Sequence, residues 1–85
     1  MNTEERILEM QQRLQTLAPS HLKIIDDSAQ HHGHAGAQGA GHFTVQIGSP
    51  EFSGKNLVQR HRLVYGALGD LMHKEIHALS IQIID

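Results

Sequence analysis

The chain concentrates imidazoles. Four of its eight histidines fall in HHGHAGAQGAGH, residues 31–42, interleaved with four glycines. Neutral imidazole is a ligand for Zn, Cu, Ni and Fe, and glycine lets a backbone fold around an ion. His31, His32 and His34 are therefore candidate metal ligands, set against the plainer reading of a solvated polar loop. His73 and His77 lie far along the chain, with His77 opening an alternating segment, HALSIQIID. On that apolar face a hydrogen-bonded core histidine is the bland alternative to a ligand. His73 has its own plain reading, as a complement to a helix C-terminus. His42 starts a strand on its polar side, where solvation is expected.

A second group is basic. KNLVQRHR, residues 55–62, supplies Lys55, Arg60, His61 and Arg62, and no acid occurs between Phe52 and Tyr65. Phosphate contacts use such a patch. A solvated helix start is the alternative, although cations at a helix N-terminus oppose its dipole.

Other chemistries lack their signatures. There is no cysteine, which excludes disulfides and any thiolate metal site supplied by this chain alone. No HExxH or GxSxG occurs, so no enzyme is expected. GAQGAG, residues 36–41, leads into a strand rather than a helix and does not fit a dinucleotide fingerprint. The two GxxG spacings, Gly36–Gly39 and Gly66–Gly69, lack the basic helix–helix context of a nucleic-acid clamp.

The elements that must position these groups follow from periodicity. The 85 residues suit one domain, 1–85, with one thin core and no deep cleft. Apolar residues make up 39% of the chain and charged residues 19%, as in a soluble globular fold. The net charge of −2 offers no global attraction to nucleic acid or an anionic membrane. No secretory signal or membrane-length apolar run is visible, which makes the cytoplasm the default compartment.

Ile7, Met10 (or Leu8), Leu14 and Leu17 predict an amphipathic helix over about 3–17, stopped by Pro19. HLKIIDDS predicts a strand near 21–28, and HFTVQIG a clearer one near 42–48. Asn56 to about His73 is helical, with Leu57, Val64, Leu68 and Leu71 on one side and a break after Gln59 or near Gly69. The last strand is expected near 77–84, with His77, Leu79, Ile81 and Ile83 on one face.

The order α-β-β-α-(α)-β gives an α+β fold, a three-stranded mixed sheet with helices on one face. The first two strands should be antiparallel, and the second and third parallel through a right-handed crossover. Parallel neighbours start at the same edge. His77 should therefore lie beside the glycine/histidine loop, with His73 near it. Arg60, His61 and Arg62 should lie roughly 15–20 Å away, at the other end of the crossover helix.

FSGKNLVQRHRLVYGAL, residues 52–68, resembles the BolA family. IIDDS before the loop, HHGHAG with GHF after it, and IHALSIQ near the end extend the likeness over nearly the whole chain from Arg6. The resemblance implies a fold like a class II KH domain and two functional traditions. One is an adaptor that pairs with a monothiol glutaredoxin around a shared [2Fe-2S] cluster, in iron–sulfur assembly or iron regulation. The other is a DNA-binding transcriptional regulator of stress response, cell shape and biofilm, here with Lys55, Arg60, His61 and Arg62 as its contacts.

By the same resemblance, one cluster ligand precedes the second strand and a second opens the last strand. The latter matches His77; the former is His31 or His34. With no cysteine, this would be a His-type member. Two imidazoles cannot hold a cluster alone, so a partner thiolate and glutathione from the glutaredoxin side would complete it. The chain itself is expected to be a monomer or a weak homodimer, with no membrane partner.

Overall fold

The computed structural model describes residues 1–27 and 41–84. His31 and His34 lie outside the described residues. Helix α1 (Thr3–Leu14) starts at a capping box, in which the Asn2 side chain accepts from the Glu5 backbone N–H and Glu5 accepts from Asn2. Its α-helical part ends three residues before the predicted limit. A 3-10 turn carries Gln15–Leu17, and Ala18 takes a left-handed conformation at φ 46° before Pro19. Met10, Leu14 and Leu17 are buried while Leu8 is 58% exposed, which places Met10 rather than Leu8 on the packing stripe.

Strand β1 (His21–Asp26) runs antiparallel to β2 (Gly41–Gly48), and β2 runs parallel to β3 (Ile76–Ile83), in the order β1-β2-β3. The central strand is buried along nearly all its length. Phe43, Val45 and Ile47 point to the helical side, level with Leu79, Ile81 and Ile83 of β3. The other side is polar, and Gln46 Nε2 donates to Gln82 Oε1 at 2.8 Å across β2 and β3.

The crossover is broken in two, α2 (Leu57–Leu68) and α3 (Leu71–Lys74), at the second of the two expected places. Gly69 is the break. Its φ of +58° is open to glycine at little cost. Arg13 of α1 covers the same point, with Nη1 donating to the Leu68 carbonyl at 2.8 Å and to Asp70 Oδ1 at 2.7 Å. One guanidinium thus satisfies an orphan helix-end carbonyl and ties α1 to the crossover. Val64, Leu68 and Leu71 are buried as predicted. Leu57 is 59% exposed instead, because the first turn of α2 projects beyond the core.

Among the described residues no helix is long and apolar enough to cross a membrane. Leu14 is fully buried between helices and sheet. Leu14→Ala should cost about 2–5 kcal/mol of unfolding free energy, measured by urea denaturation.

A second expectation concerns acid. Glu75 accepts from Arg6 Nε at 3.0 Å, and this bond holds its carboxyl below the usual glutamate value. A depressed folded-state pKa stabilises fully above the unfolded value of about 4.3 and ceases to do so as pH falls through the folded one. Glu75→Gln should therefore be less stable than the wild type at pH 6–7, with the deficit shrinking as denaturation is repeated from about pH 4.5 downward.

Candidate functional site

β2 and β3 pair evenly from His42↔Ala78 to Ile47↔Ile83, but Gly41 pairs with Ile76. One step on β2 is matched by two on β3, so one extra residue is inserted where His77 stands. The bulge changes the expected facing. Ile76 is buried, and His77 and Ala78 are both exposed, before alternation resumes at Leu79. Simple alternation put His77 on the apolar face with Leu79. Instead its ring turns toward His42, with ring centroids 5.0 Å apart and planes tilted by 58°.

His42 corrects another expectation. It is 5% exposed rather than solvated. Central position in the sheet, one strand on either side, explains its burial, and the period-2 pattern alone does not reveal which strand is central. His42 is the residue at this site that sequence reasoning undervalued. Its only advance signal was its place at the start of the strand that the loop feeds.

The two ends of the 28–40 segment are fixed at this same edge. The Asp27 backbone N–H donates to the His42 carbonyl at 2.7 Å, and Thr44 Oγ1 donates to the Asp27 carboxylate. At the other end the Gly41 N–H donates to the Glu75 carbonyl at 3.0 Å. Arg6 holds Glu75, two residues before His77, from α1. The chain thus leaves and re-enters the described sheet within one or two residues of the His42–His77 pair. His73 lies on α3 and is exposed.

The basic residues sit at the opposite end. Arg60 lines an open cleft of about 480 Å³ with Ser20, Ser49, Phe52 and Ile84. Ile84 is seven residues from His77 along an extended strand, a separation of roughly 23 Å. Asn56 caps α2 by a capping box with Gln59, and Arg60 Nε donates to the Lys55 carbonyl at 2.9 Å. Arg62 is exposed, whereas Lys55, Arg60 and His61 are half-buried. Residues two apart on a helix do not share a face, so Arg60 and Arg62 diverge rather than form one flat patch.

Among the described residues no group of three histidine, cysteine, aspartate or glutamate side chains is arranged to hold a metal ion. Within them, this edge presents two imidazoles, His77 exposed and His42 buried beside it.

Residues 14–84 match the model of the BolA-like protein family. The chain is 48% identical over 83 residues to Protein BOLA1, chloroplastic, of Arabidopsis thaliana, covering 92% of this chain and 52% of that protein. It thus spans about half of that relative. It is 33% identical over 63 residues to the DNA-binding transcriptional regulator BolA of Escherichia coli, covering 74% of this chain and 58% of that one. The solved BolA domain of SufE1 from Arabidopsis thaliana superposes with a TM-score of 0.78 at 38% identity, covering 98% of this chain and 92% of that one. With a bulged parallel strand pair, a divided crossover and a family match that runs from the end of α1 to the end of the sheet, the chain belongs to the BolA-like protein family.

Proposed function

We propose that this chain is an adaptor that contributes histidine ligands to a [2Fe-2S] cluster shared with a monothiol glutaredoxin. The observation that supports it best is the exposed imidazole of His77, lifted off the apolar face by the bulge at the edge where residues 28–40 leave and return. His31 and His34 are the candidates for the second ligand. His31 is four residues from Asp27, within a maximal chain reach of about 14 Å.

The donor set fits the group. Imidazole serves as a cluster ligand in mixed His/Cys centres. This chain has no thiolate, so the partner's cysteine and glutathione are required to complete the site. When bound, such a cluster would supply one-electron chemistry at a potential raised by imidazole ligation.

The chain's own part is orientation and availability. His42 packs against the His77 ring, with centroids 5.0 Å apart. The Arg6–Glu75 pair fixes the backbone just ahead of it. Neutral histidine is the ligating form and protons compete with the metal for it, so binding should weaken in acid. Co-expression with a monothiol glutaredoxin, followed by visible absorption and circular dichroism of the purified complex, tests the reading. His77→Ala should keep the far-ultraviolet spectrum of the fold and lower retained cluster more than about tenfold. His31→Ala and His34→Ala should separate the second ligand from its neighbour. Unchanged cluster bands in His77→Ala would remove the proposal's anchor.

The basic end supports a second reading. Bacterial relatives are named as DNA-binding transcriptional regulators, and residues 53–64 of this chain carry cations without an acid. In that reading Lys55, Arg60 and Arg62 contact phosphates, with His61 beside them. Changing the three cations to alanine should weaken DNA binding and reduce the slope of log K against log salt by up to about three ion-release units. Divergence of Arg60 and Arg62 around α2 favours a loss below that ceiling. Unchanged binding in an electrophoretic titration would assign the stretch to solvation.

A further inference from the structure

β3 is an edge strand among the described residues, with β2 on one side only. Its edge differs from that of β1. The β1 edge carries Lys23 and Asp26, both exposed. From Ile76 to Ile84 there is no charged residue and no proline, and the one irregularity lies at its start. Charges, prolines and bulges are the devices that keep an edge from pairing, and residues 78–84 have none.

The direction of the backbone groups is fixed by the parallel ladder. The Ile84 N–H donates to the Ile47 carbonyl at 2.8 Å, and Ile47 is level with Ile83. In a parallel pair each residue bonds to the two that flank its partner. The even residues Ser80, Gln82 and Ile84 therefore point their amides at β2. Those of Leu79, Ile81 and Ile83 point outward, along the edge.

The sequence of this edge is symmetric in polarity. ALSIQII, residues 78–84, reads apolar, apolar, polar, apolar, polar, apolar, apolar about Ile81. The geometry points to self-association of two copies through antiparallel pairing of β3 about a two-fold axis at Ile81. This register sets Ile81 against Ile81, Leu79 against Ile83, Ser80 against Gln82 and Ala78 against Ile84. Every pair matches in polarity, and the outward amides of 79, 81 and 83 fall at the hydrogen-bonded positions. Centring on Ser80 would set Ala78 against Gln82 and His77 against Ile83. Centring on Leu79 would set Ala78 against Ser80 and Ile76 against Gln82. Only the Ile81 register avoids such mismatches, and its identical halves select a second copy as the occupant. The product is a six-stranded sheet that covers half-buried Leu79, Ile81 and Ile83 and the exposed edge of Ile84.

One strand pair is smaller than a standard interface, so the dimer is a weak one. In sedimentation equilibrium of the full chain, the average mass should rise from one copy toward two between about 10 µM and 1 mM. Over the same range, amide exchange should slow at Leu79, Ile81 and Ile83 and stay constant at Ser80 and Gln82. Ser80→Lys with Gln82→Lys sets lysine against lysine across the axis and should hold the chain monomeric. Ser80→Lys with Gln82→Glu sets opposite charges there and should restore the dimer. Both positions changed, Ser80 and Gln82, are exposed, and circular dichroism checks that each variant folds. A mass of one copy throughout would overturn the proposal. So would a dimer that persists in the double-lysine variant, or slowed exchange at 79, 81 and 83 that appears only when a glutaredoxin is added.

Discussion

The parallel pairing of β2 and β3 is the constraint on which the rest depends. Antiparallel neighbours can follow one another without a crossover, but parallel ones need the chain to travel back over the sheet. That return is the crossover of α2 and α3, and it brings the start of β3 to the start of β2. His77 meets His42 across 35 residues of sequence for this reason alone. The same pairing makes β2 the central strand, buries His42 and, among the described residues, leaves β3 with a strand on one side only.

Two arginines of α1 hold the crossover in place. Arg13 meets it at Gly69, where α2 stops and α3 has yet to start, and its bonds to Leu68 and Asp70 replace contacts a continuous helix would have made for itself. Its pairing also lowers the carboxyl pKa of Asp70. Arg6, mostly buried, meets Glu75 at the end of α3. Both bonds join residues more than fifty apart, so they add little until the hydrophobic faces have docked. Burial of Met10, Leu14, Val64 and Leu68 supplies the cohesion. The arginines determine where the crossover bends and where it ends, and thus where β3 starts.

Much of this was legible in the residues, and the limits have identifiable causes. Period-2 alternation in Phe43–Ile47 and Leu79–Ile83 located two strands, and the intervening helical pattern required them to be parallel. Gly69 was one of two places at which the crossover could break, the other being after Gln59, and periodicity alone did not choose between them. The bulge was not legible, because a period-2 pattern carries no mark of an inserted residue. His77 was accordingly assigned to the face it leaves. His42 was misjudged since strand order, not strand pattern, sets burial. Leu57 fits the apolar stripe of α2 by angle, but angle does not say how far a helix overhangs its core. The capping boxes at Asn2 and Asn56 settle both helix starts from four residues each. The family likeness was carried by short stretches spread along the chain, and no single spacing would have revealed it.

Gly41 is the residue through which the histidine-rich segment rejoins the sheet. A Cβ there would collide with the Phe43 ring, itself 1% exposed in the core. The passage is therefore closed to any side chain. Asp27 closes the other end by bonding to His42 and Thr44. The register of β1 against β2 is thus held by Asp27, Gly41, His42 and Thr44, residues on either side of 28–40, and the histidine-rich sequence is spliced into the sheet at two clasped joints on one edge.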